Sequence, residues 1–114
     1  MSIPPRPTTY RGIPMRSRLE ARFAAFLDGG KEPWQYEPRA FADETGQYLP
    51  DFQLGDKTFI EVKPTIDQAE AAMTAMERIW SSEPDATLMV VFGSVPIALI
   101  TEGRRWEQVA YPWR

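Results

Sequence analysis

The chain has 114 residues, 43% of them hydrophobic and 25% charged, a net charge of -3 at neutral pH, and neither cysteine nor histidine. That length fits one domain burying roughly two thirds of its unfolded surface, and no apolar run approaches the ~20 residues needed to cross a bilayer. The missing residue types exclude a disulfide framework, a cysteine zinc site and any nucleophile relayed through histidine, which leaves carboxylates, Lys, Tyr or an oxygen-ligated metal for catalysis.

The opening MSIPPRPTTYRG holds no continuous apolar stretch of the signal-peptide kind, which predicts a cytoplasmic protein. Residues 1 to 22 carry five arginines (Arg6, Arg11, Arg16, Arg18, Arg22) against Glu20 alone; five minus one is +4, and the total of -3 leaves -7 for the remainder. A basic end of this kind suits tracking of phosphates, and suits equally a solvated arm and helix face. Proline-rich residues 1–15 read as an extended basic arm, and residues 16–114 as a single domain.

From Arg16 the pattern turns helical. Leu19, Phe23, Phe26 and Leu27 share one face, and Gly29-Gly30 supplies the stop, which predicts a helix over 17–28. Trp34 to Glu37 reads as a short strand ended by Pro38, and 38–47 as a polar connection. Residues 48–54 and 57–63 form a hairpin turning at Gly55-Asp56. Thr65 or Asp67 caps a second helix with Ala69, Ala72, Met73, Met76, Ile79 and Trp80 on one face, ending near Ser82. Thr87 to Phe92 suits a buried strand, Pro96 to Thr101 a further one, and WEQVAYPWR has no clear period. The order is α-β-β-β-α-β with an optional last strand: an α/β fold, its sheet flanked by helices.

The hairpin YLPDFQLGDKTFIEVKP contains charges where a strand would rather be apolar. Side chains alternate along a strand, so Glu61 and Lys63 leave one face roughly 7 Å apart while Ile60 and Val62 enter the core on the other. Asp51, held near a bend by Pro50, approaches them across the hairpin. Two carboxylates at 4 Å repel by ~4 kcal/mol at an effective dielectric of 20, which one Lys offsets only in part and a divalent cation reverses. With oxygen ligands alone, Mg²⁺ or Mn²⁺ fits better than Zn²⁺. An acidic clamp beside an ammonium suits phosphodiester hydrolysis, where a metal polarises phosphate and activates water.

Each residue also has a plain structural role to weigh. Asp51 could cap a turn and Lys63 could guard an edge strand. Ser17-x-x-Glu20 is a capping box. Glu37 suits an exposed strand position, Thr65 and Gln68 suit capping, and Trp34, Tyr36 and Trp80 suit the core better than base stacking. Arg16, Arg18 and Arg22 suit either a DNA backbone or a solvated face.

Pro50-Asp51, nine intervening residues, then Glu61-Val62-Lys63, on this element order, resembles the motif of the PD-(D/E)xK nuclease superfamily over roughly residues 16–93. RSRLEARF, then an aromatic strand with Tyr36-Glu37, then LPDF and IEVK, is more particularly similar to the endonuclease subunits of heteromeric transposases and to small phage-borne relatives. The resemblance implies a restriction-endonuclease-like core with a mixed central sheet. It implies metal ligation by Glu20, Asp51 and Glu61, with Lys63 as the fourth catalytic residue, and hydrolysis of DNA to a 5′-phosphate and a 3′-hydroxyl. Arg16, Arg18 and Arg22 are the candidate DNA contacts. With the residues spent on the core, specificity is expected from DNA shape, a homodimer or a partner protein. The alternative is a non-catalytic nuclease-like module binding nucleic acid or protein.

Overall fold

The computed structural model describes residues 6–113, so Pro4 and Pro5 of the expected arm lie outside the described residues. Strands β1 (Thr8–Tyr10) and β2 (Ile13–Met15) form an antiparallel hairpin. This part of the expected arm is extended, but it is also paired. Its two-residue loop puts Arg11 at φ 51° and Gly12 at φ 81°, the double positive φ that matches the twist of a tight hairpin. The hairpin docks on the chain that follows: Met15 is buried, and the Tyr10 hydroxyl donates to Asp28 Oδ2 at 2.5 Å.

Helix α1 (Arg18–Gly29) begins where Ser17 Oγ accepts the Glu20 backbone N–H at 3.1 Å, and it buries Ala21, Phe23, Ala24 and Leu27 on one face. Strand β3 (Trp34–Tyr36) follows. The expected polar connection then contains a second small hairpin, β4 (Phe41–Asp43) and β5 (Gly46–Tyr48). Its turn is closed by Asp43 Oδ1, which accepts the Thr45 N–H at 2.8 Å, and Phe41 anchors it edge-on to Phe59. Tyr48 therefore belongs to this hairpin, and the first strand of the charged hairpin is shortened to β6 (Phe52–Leu54), paired with β7 (Thr58–Lys63).

The second helix is broken into a 3-10 turn at Ile66–Gln68, α2 (Ala69–Met76) and a further 3-10 segment at Glu77–Ser81. Strand β8 (Thr87–Phe92) is parallel to β7, and β9 (Ile97–Glu102) returns antiparallel to it. The patternless C-terminal stretch forms β10 (Arg105–Ala110), pairing β9 through a two-residue loop with Gly103 at φ 60°. The main sheet runs β10-β9-β8-β7-β6-β3 and is mixed, with β7–β8 as its parallel pair.

Alternation along the two central strands divides the core in two. Ile60, Val62, Met89 and Val91 join α1, Phe52 and Trp113 on one side of the sheet. Phe59, Leu88, Val90 and Phe92 join Phe41, Met76 and Ile79 on the other. Both faces are covered, which is why β7 and β8 read as near-continuous apolar runs. The molecule is an α/β fold with a mixed sheet and two helices. No helix among the described residues is long and apolar enough to cross a membrane.

Candidate active site

The β6–β7 ladder ends at the pair Phe52 and Ile60. Asp51 and Glu61 are the next residues beyond that last pair, one on each side of the fork. Pro50 precedes Asp51 and has no N–H to continue a ladder. Instead the Asp51 backbone carbonyl accepts from the Glu37 N–H at 2.8 Å, and its side-chain Oδ2 accepts the Val62 N–H at 2.8 Å. A carboxylate thus occupies the place of a strand at the point where β6 leaves β7. Asp51 is 1% exposed and Glu61 7%.

Each acid is held by named donors. Glu61 Oε1 accepts from the Tyr48 hydroxyl, and Glu61 Oε2 lies 3.2 Å from Lys63 Nζ. Glu20 Oε1 accepts from the Tyr36 hydroxyl at 2.7 Å and from the Arg16 backbone N–H at 3.0 Å. Ser17 caps α1 as its spacing predicts, but the Glu20 side chain reaches back one residue further than a capping box requires. The Arg16 guanidinium lies 2.7 Å from Glu37 Oε2 and 3.4 Å from Asp51 Oδ1. Glu37 adopts φ 46°, a conformation a non-glycine residue keeps only when its surroundings impose it.

These side chains line one cleft of about 520 Å³: Glu20, Asp51, Glu61 and Lys63 together with Arg16, Arg18 and Gln68. Arg6, which the sequence marks only as part of the basic end, lines it too. Arg22 does not; it borders a larger groove of about 860 Å³ at the other end of α1, walled chiefly by Phe26, Leu27, Leu54 and Tyr111. The larger groove contains little that could do chemistry, so the smaller cleft is the candidate site. Its wall depends on a glycine: a Cβ on Gly93 would sit 2.8 Å from Leu19 Cδ1, so the bare backbone at the end of β8 lets the first turn of α1 close over the cleft.

Burial pushes the Asp51 carboxyl up to about 9, with the charges of Glu61 and then Glu20 adding to the rise. Burial raises Glu61 as well, against the opposing effects of the Tyr48 hydrogen bond and the Lys63 charge. Two buried acids that both resist ionisation mark a pocket short of positive charge. The phenols move the same way: burial and the Glu20 hydrogen bond take Tyr36 to about 12, and burial with the Glu61 charge raises Tyr48 further. Both therefore remain proton donors at neutral pH.

The donor chemistry fits a hard divalent cation: all-oxygen ligands, buried, in one cleft. The closest approach to a ligand set is Asp51 with Glu61. Glu20 lines the same cleft, and as the side chains stand no three acids among the described residues are grouped tightly enough to ligate one ion. Sequence reasoning weighs Tyr36 only as core against base stacking and reads Tyr48 only as part of a strand; it ties neither to an acid of the site, as the structure does. A tyrosine ending an aromatic strand is ordinary core material, and Tyr48 lies in a hairpin whose strands are only three residues long. No family model, curated protein or solved structure matches this chain.

Proposed function

We infer that this protein is a metal-dependent DNA endonuclease. The observation that carries the reading is the fork itself: Asp51 and Glu61, both buried and lining one cleft, with the Lys63 ammonium on Glu61 and a basic rim of Arg6, Arg16 and Arg18 on the same cleft. Carboxylates this buried are uncommon even when paired, and here each keeps a single cation nearby, Arg16 for Asp51 and Lys63 for Glu61. The succession α1-β3-β6-β7-α2-β8, with β7 and β8 parallel and the β4–β5 hairpin as an insertion, supports a restriction-endonuclease-like core.

Asp51 and Glu61 would hold Mg²⁺ or Mn²⁺, with Glu20 as the third acid of the cleft. Such an ion, when bound, supplies charge to polarise the phosphate and to lower the pKa of a water. Lys63, tied to Glu61, orients the attacking water and offsets the charge that grows on the phosphorane-like transition state. Arg16 and Arg18 seat the phosphates flanking the scissile bond. Hydrolysis leaves a 5′-phosphate and a 3′-hydroxyl.

A non-catalytic binding module is the second reading, favoured by one observation: every site acid is already engaged by a protein donor, and no three acids among the described residues converge. The two readings part on incubation of the purified protein with supercoiled plasmid, linear duplex and a four-way junction, each in Mg²⁺ and in EDTA. An endonuclease cuts at least one of them in Mg²⁺ only, and Glu61→Ala or Lys63→Ala lowers the rate by at least about 100-fold. Binding without cutting in any metal, or cutting that survives EDTA and both substitutions, rejects the enzyme.

A further inference from the structure

Two of the three site acids are held in the same way. A phenol hydroxyl from a neighbouring strand donates to one carboxylate oxygen: Tyr36 of β3 to Glu20 Oε1, and Tyr48 of β5 to Glu61 Oε1. We propose that Tyr36 and Tyr48 are positioning residues of the cleft, fixing Glu20 and Glu61 through Oε1 so that Oε2 of each, open in Glu20 and shared with Lys63 in Glu61, can meet a divalent cation. This rests on the nuclease reading and adds two residues to it.

Packing alone does not account for the hydroxyls. The Tyr36 ring lies edge-on to Phe52 with centroids 5.4 Å apart, a contact that phenylalanine would make equally well. Tyr48 packs beside the α2-side core, where an unbonded hydroxyl would be a cost rather than a gain. In both, the ring meets the core and the oxygen reaches an acid of the cleft. Tyr48 also counters a specific distortion. Lys63 Nζ lies 3.2 Å from Glu61 Oε2 and would turn the carboxylate toward itself if Oε1 were loose. The phenol anchors Oε1, so the oxygen nearer the lysine can exchange between ammonium and metal without the side chain swinging. Tyr36 does the same for Glu20, whose Oε2 accepts no hydrogen bond from the described residues. The β4–β5 hairpin thereby acquires a purpose beyond covering Phe59, since it delivers the Tyr48 hydroxyl.

The test is calorimetric titration of Mn²⁺ into the full chain at pH 7, for the wild type, Tyr48→Phe, Tyr36→Phe and the double variant, with melting temperatures in EDTA measured alongside. Loss of an outer partner of a metal-ligating group weakens affinity by about 10- to 100-fold, so each phenylalanine should raise the Mn²⁺ Kd by at least about 10-fold, and the double variant by more than either. A merely structural role would lower the EDTA melting temperature and leave the Kd where it was; unchanged or tighter binding overturns the proposal. If Tyr48→Phe does not fold, the Tyr36→Phe titration decides alone. Failure of the wild type to bind Mn²⁺ would overturn the nuclease reading with it, whereas wild-type binding matched by both variants would overturn only the positioning role.

Discussion

Asp51 is the residue on which the site turns, because it replaces a strand's hydrogen bond with its own carboxyl's and then carries that carboxyl almost wholly out of water. Its folded-state pKa, near 9 through burial and then the charges of Glu61 and Glu20, lies above the ordinary carboxylate value of about 3.9. The folded state thus holds the Asp51 proton more tightly than the unfolded chain does. The stability this contributes is complete below about pH 4 and is lost as pH rises toward 9. Without metal, the wild-type melting temperature should fall steadily from pH 5 to 9, while Asp51→Asn, which has no proton to lose, should fall much less and be the more stable protein at pH 9. Parallel melting curves for the two in EDTA would show that Asp51 is ionised and satisfied in the metal-free fold. Lys63, by contrast, stays close enough to the surface to be reached by substrate, with 31% of its side chain exposed.

The elements differ in how much of them the sequence discloses, and the difference follows from where their stabilising contacts lie. Helix α1 is legible because its signals are local: Ser17 at the cap, a repeating apolar face, and glycines at the end. The β7 and β8 strands are legible because burial on both faces leaves an apolar run, against which Glu61 stands out. Strands β4 and β5 are short and β10 is largely exposed; each pairs locally, but the side-chain contacts that seat them on the body of the protein lie distant in sequence. Phe41, for example, finds Phe59 and the α2-side core, and nothing in FADETGQY fixes that in advance. The β1–β2 hairpin is masked by its prolines and by an arginine in a positive-φ position usually given to Asn or Asp. Two substitutions test these assignments by urea unfolding. Ser17→Ala should cost about 1 kcal/mol, the worth of a helix N-cap. Phe41→Ala should cost about 3 kcal/mol, the range for emptying a buried aromatic position, and a cost near zero would mean that the hairpin is not seated on Phe59.

Across the whole molecule, charge is arranged more tellingly than its net value of -3 suggests. Of the basic N-terminal arginines, Arg6, Arg16 and Arg18 line the cleft, while Arg22 lies on the apolar groove. The proposed phosphate contacts of the rim arginines would show in the salt dependence of binding. In EDTA, Arg18→Ala should flatten the plot of log Kobs against log salt by about one unit for any DNA sequence, and Arg22→Ala should change it less. Equal effects of the two would place the nucleic acid away from the cleft. The claim beneath all of this is that the fork between β6 and β7 holds a divalent cation. Its most direct test is paramagnetic broadening by substoichiometric Mn²⁺ in amide spectra of the isotope-labelled protein. A bound ion at the fork predicts that the amides of Asp51, Glu61 and Val62 broaden first, with Glu20 close behind, and that Asp51→Asn abolishes the effect. Broadening confined to surface acids such as Asp67, Glu70 and Asp85, with the fork untouched, would contradict it.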